Sequence, residues 1–107
     1  IKKNKIYESK KRILVAGVTY KKNVSDYRNS LALEIYKKIK KKYKNTTGYD
    51  PTLNNEISKK LNIKNNINNF GNFYSVIFLV NHKSFIKIYK DFKKNNKLII
   101  DLLSFYS

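Results

Sequence analysis

The chain has 107 residues, 41% of them hydrophobic, and a formal net charge of +17; that is enough for one domain with a modest core and too little for two. No apolar run approaches the roughly 18 residues of a membrane span, and the basic N-terminus is not followed by the apolar region and small-residue cleavage site of a signal peptide. The lack of cysteine excludes a disulfide framework, a thiolate nucleophile and a Cys-based zinc site, and a lone histidine, His82, all but excludes a catalytic His pair or a His-built metal site.

A chain that opens at Ile1 rather than Met is expected to be a piece of a longer polypeptide. Residues 1–11 carry lysines at 2, 3, 5, 10 and 11 and read as a linker or lead-in, with one domain over 12–107. Arg12 to Ala16 is a short apolar run, expected as a buried strand that Gly17 ends. The polar segment Gly17–Arg28 follows, long for a strand-to-helix loop, and long loops in compact domains are often functional. Asn29 or Ser30 can cap the next helix. Ala32, Ile35, Tyr36, Ile39 and Tyr43 recur at helical spacing and predict its apolar face. Lysines 37, 38, 40, 41, 42 and 44 crowd its C-terminal end, where the helix dipole tolerates cations.

Thr46–Tyr49 reads as a second strand, stopped by Asp50-Pro51 because proline cannot donate to a ladder. Leu53, Ile57 and Leu61 predict a short helix. Residues 62–72 are Asn-rich and read as a loop, with room for a brief strand around Ile63. Phe73–Val80 is apolar nearly throughout, the pattern of a central parallel strand covered on both faces. Ser84 can cap a helix whose buried face is Phe85, Ile88, Tyr89 and Phe92, and Lys97–Asp101 is the last strand.

The order β-α-β-α-β-α-β predicts an α/β fold, a Rossmann-like three-layer domain with a small parallel sheet and right-handed crossovers. Ligands of such sheets bind beyond the carboxyl ends of the strands, near the switch point in strand order. Those ends carry Gly17–Arg28, Asp50-Pro51, Asn81-His82 and the residues from Asp101 on. The long polar loop and the single histidine are therefore expected on one edge.

The charge is a weaker guide. The sequence holds 22 Lys but two Arg, 15 Asn but two Ala, and 13 Ile but one Pro, the bias of an AT-rich genome. Proteins that grip phosphate favour the bidentate fork of arginine, which is not enriched here. A small basic nucleic-acid-binding domain is therefore the alternative reading, as is a stand-alone binding module without catalysis.

On the expected edge, Lys21 and Arg28 could hold a phosphate or pyrophosphate beside a helix N-terminus; equally, Arg28 could pair with Asp26 and staple the loop. Gly17 stands alone, with neither G-x-G-x-x-G nor a P-loop, so the chain is not expected to bind NAD or ATP in the usual way by itself. Tyr20 could stack on a ligand or pack in the core. His82 could bond a ligand or act as a base, or serve as a helix-start residue bonded to backbone. Asp50 reads as a turn residue, and Asp101 is ambiguous. No nucleophile–base constellation is present, so the residues describe a binding module.

The stretch Ile13–Lys40 resembles the opening of the C-terminal, UDP-binding domain of the UDP-glucose/GDP-mannose dehydrogenase family. The family's pattern is a strand, Gly, two residues, Phe-Lys, a short polar stretch, then Asp-x-Arg-Asn/Glu-Ser. It is met here by Gly17, Tyr20-Lys21, Asp26, Arg28, Asn29 and Ser30. Tyr49-Asp50-Pro51, the strand within Tyr74–Phe85 and Leu98–Asp101 follow in the family's order. His82-x-x-Phe85 looks like the branch acting on UDP-N-acetylglucosamine or UDP-N-acetylmannosamine.

The resemblance implies a cytoplasmic oxidoreductase of nucleotide-sugar metabolism that oxidises the C6 alcohol of a UDP-hexose or UDP-N-acetylhexosamine in two NAD-dependent steps and feeds polysaccharide biosynthesis. It implies a separate N-terminal NAD-binding domain, a central segment forming a homodimer, and a catalytic cysteine upstream of this piece; the chain as given carries no catalytic residue and no metal. By the same resemblance Tyr20 and Lys21 match positions that contact the UDP-sugar, and Arg28 matches one that reaches NAD across the cleft. Tyr20 departs from the usual Phe. Leu102, Leu103 and Ser104 stand where the UDP-glucose branch has an Arg soon after the last strand.

Overall fold

In the computed structural model the described residues are 12–18 and 31–102. They form four strands, β1 (Arg12–Ala16), β2 (Thr46–Tyr49), β3 (Phe73–Phe78) and β4 (Leu98–Asp101), and three helices, α1 (Leu31–Lys42), α2 (Asn55–Leu61) and α3 (Phe85–Lys94). All strand pairs are parallel, in the order β2-β1-β3-β4. This is the expected Rossmann-like α/β arrangement. The expected lead-in 1–11 lies outside the described residues.

The register sets which side chains share a face. Ile13, Ser75 and Leu98 are aligned, as are Val15, Ile77 and Ile100, and aligned residues of parallel strands point to the same side. Gly48 is opposite Val15 and belongs to this face. Here α1 packs down on β2: a Cβ added at Gly48 would lie 2.8 Å from the Tyr36 ring. The other face carries Leu14, Ala16, Val76 and Phe78, all without exposure. There Phe85 of α3 meets Phe78 with ring centroids 5.9 Å apart and Tyr49 at 6.1 Å.

Several local expectations are corrected. Tyr43 falls just past α1 and is exposed, whereas Leu33 joins Ala32 and Tyr36 in the buried face. The third strand ends at Phe78, two residues short of the expected Val80, although Leu79 N–H still donates to Ala16 O at 3.0 Å in continuation of the ladder. On that strand Phe73, Ser75, Val76 and Phe78 are buried, Ile77 is half-buried and Tyr74 is exposed, and on the edge strand β4 Leu98 is 49% exposed. The Asn-rich segment is a loop, and its one strand-like feature is a parallel bridge from Lys64 to Tyr49. Ser84 does not cap α3 with its side chain; its hydroxyl faces His82 Nδ1 at 2.8 Å instead.

Candidate functional site: the carboxyl edge of the sheet

The order β2-β1-β3-β4 places the switch point between β1 and β3, since the chain leaves β1 for one neighbour and returns past it to the other. At the carboxyl end of β1, Gly17 has φ +92°, a conformation that glycine reaches without strain. A Cβ there would lie 2.1 Å from Val80 Cγ2 and 3.1 Å from Phe85 Cε2. Gly17 N–H donates to Tyr49 O at 2.8 Å. Glycine therefore does two things at this point: it turns the chain off β1, and it lets the turn after β3 press against it.

Asp50 fixes the next residue. Its carboxylate is 1% exposed. Oδ2 accepts from Val18 N–H at 2.9 Å, across from β2 to the start of the long loop. Oδ1 accepts from Thr52 N–H at 2.9 Å and from Thr52 Oγ1 at 2.6 Å. A buried carboxylate that accepts from three donors is held in place. Asp50 is thus a structural clamp on the chain leaving β1; the Asp50-Pro51 pair reported the turn but not its reach to Val18.

His82 lies on the same edge. Its ring centroid is 5.3 Å from that of Phe85, the side chain that also touches the Gly17 turn. Nδ1 accepts from Ser84 N–H at 3.1 Å, and His82 O accepts from Phe85 N–H at 2.9 Å. His82 therefore satisfies the opening amides of α3 with both side chain and backbone, which is the helix-start role.

The edge thus brings together Gly17, Val18, Asp50 and His82, as the order of elements predicts. Asp101 ends β4 opposite Phe78 and is half-buried. Tyr20, Lys21, Asp26, Arg28, Asn29 and Ser30 lie outside the described residues. Among the described residues no three metal-ligating side chains come together, and no helix is long and apolar enough to cross a membrane.

Residues 14–107 match the family model described as the UDP-glucose/GDP-mannose dehydrogenase family, UDP binding domain. No curated protein and no solved structure matches the chain. With nearly the whole chain matched, on a parallel sheet whose carboxyl edge carries Gly17, Asp50 and His82, this protein belongs to the UDP-glucose/GDP-mannose dehydrogenase family, as its UDP-binding domain.

Proposed function

We propose that this chain is the UDP-sugar-binding domain of an NAD-dependent UDP-sugar 6-dehydrogenase, of the type that oxidises a UDP-N-acetylhexosamine to its uronate. The family match over residues 14–107 carries the reading. The signature Tyr20-Lys21 through Arg28-Asn29-Ser30 supports it, because Gly17 and Asp50 start that segment at the edge where such sheets take ligands. His82, three residues before Phe85, is the observation that favours the N-acetylhexosamine branch.

In this proposal Lys21 sets a cation beside the pyrophosphate, where charge-assisted bonds to phosphate oxygens are stronger than neutral ones. Tyr20 packs against the nucleotide-sugar and can add a hydroxyl bond. Arg28 reaches across to the cofactor. The chain by itself does not fit NAD: Gly17 lacks the companion glycines of a dinucleotide cradle, and the space above it is taken by Val80 and Phe85. The cofactor and the catalytic cysteine belong to other domains of a homodimeric, cytoplasmic enzyme that supplies acidic sugars for polysaccharide synthesis. This domain binds and orients the UDP-sugar and closes the cleft over it.

The test is the kinetics of the full-length enzyme. Lys21→Ala is expected to lower kcat/KM for the UDP-sugar more than tenfold, about 1.4 kcal/mol of transition-state stabilisation. Unchanged kcat/KM would remove Lys21 from the site. UDP-N-acetylhexosamine is expected to be turned over in preference to UDP-glucose, and the reverse preference would remove the branch assignment.

A further inference from the structure

The sheet has a second feature, on the face and edge away from the nucleotide site. In the order β2-β1-β3-β4 the crossover from β1 to β2 runs one way, and those from β2 to β3 and from β3 to β4 run the other. Right-handed crossovers then put α1 on one face and α2 and α3 on the opposite face. Among the described residues no helix covers the half of the α1 face over β3 and β4. Exposure follows this layout: Val15 on β1 is fully buried, whereas Ile100 on β4 is 36% exposed and Leu98 49%.

The uncovered half is a groove of about 540 Å³. Ile77, Leu98 and Ile100 form its floor, and Tyr43 and Tyr74 stand at its end near the amino ends of the strands. Lys42 and Lys44 form its rim on the α1 side, and none of the described residues lining it is acidic. Both lysines are exposed. An apolar floor beside a basic rim selects a partner that is apolar along one stripe and negatively charged beside it. A second copy of this chain is a poor fit, because each copy brings a net charge of +17.

We propose that this groove docks an amphipathic helix of a partner protein, with Leu- or Ile-type residues on the apolar stripe and Asp or Glu along the flank facing Lys42 and Lys44. A helix is the shape that the face lacks: parallel strands are normally covered by helices on both sides, and α1 already forms one wall. The helix lies beside α1 with its apolar stripe on Ile77, Leu98 and Ile100. Binding there is independent of UDP, since the groove opens away from Gly17 and His82.

The test uses the 107-residue chain and two labelled synthetic peptides of about 18 residues. Both carry the same Leu stripe at i, i+3, i+4 and i+7; one has Glu flanks and the other Lys flanks. Fluorescence anisotropy is expected to show saturable binding of the Glu peptide, and binding at least about tenfold weaker for the Lys peptide. Leu98→Asp, at an exposed position that the core does not need, is expected to weaken the Glu peptide about tenfold or more. Lys42→Glu with Lys44→Glu is expected to remove the preference, whereas Lys93→Glu with Lys94→Glu, at the end of α3, is expected to leave it. Circular dichroism confirms that each variant is folded. No binding, binding indifferent to Leu98→Asp, or an equal loss from both lysine pairs would overturn the proposal. So would self-association through this face in sedimentation.

Discussion

Gly17 and Asp50 decide where the long loop starts, and each does so through a contact that a single substitution removes. Gly17→Ala adds a methyl that overlaps Val80 and forces a side chain into a left-handed backbone. Strain and overpacking together are expected to cost about 3 kcal/mol, read as a lower urea midpoint with an unchanged slope. Asp50→Ala leaves the amide of Val18 and both donors of Thr52 without this acceptor. A loss of about 2–3 kcal/mol is expected; denaturation equal to the parent chain would show that the clamp is dispensable. Neither magnitude was legible in the sequence. "Asp-Pro" announces a turn, but the bond from Asp50 to Val18 joins residues 32 positions apart, and only the strand pairing brings them together.

Among elements, α1 and β2 meet where Gly48 makes room for Tyr36. Tyr36 also donates its hydroxyl proton to Asn62 O at 3.4 Å. Burial pushes the phenol of Tyr36 above its ordinary value of 10.0, with the Gly48 backbone pulling slightly the other way. Burial, helped by the neighbouring Asp50 charge, raises that of Tyr49 as well. In the unfolded chain both phenols ionise from about pH 10, while in the fold they keep their protons longer. Above that pH the native state binds more protons than the unfolded one, so stability falls as pH rises. Urea midpoints are expected to be flat in this respect below pH 9 and to drop beyond 10, less steeply in Tyr36→Phe; a midpoint indifferent to pH up to 11 would contradict the burial argument.

The elements themselves were largely readable, because apolar runs such as Ile13–Ala16 and the spacing of Phe85, Ile88 and Phe92 fit one period each. The start of α3 was readable in part: His82 bonded to backbone at a helix start is what the structure has, and the cap expected of Ser84 is not. A serine before a helix suggests a cap, but Ser84 already has helical backbone angles, and the residue before the first turn is His82. His82→Ala is expected to lose about 1 kcal/mol of stability, and Ser84→Ala much less. The covered and uncovered halves of the sheet were also hidden from pattern reading. Tyr74 and Leu98 look like core residues until strand order shows that no described helix crosses above them.

For the whole molecule, the +17 charge and the fold act on different scales. The charge draws anions of any kind and fades with salt, whereas the switch point between β1 and β3 chooses where a ligand is held. The family is one of UDP-binding domains, and under the proposed function UDP is held at that edge. The signature residues of the loop were legible in the sequence as a spacing, and the described edge explains what starts that loop. Titration of the isotope-labelled chain with UDP, followed by amide NMR at moderate salt, tests the central claim most directly. The account predicts saturable shifts at Gly17, Val18, Asn81 and His82, with the amino ends of the strands unchanged. An edge that stays unperturbed at millimolar UDP would contradict it.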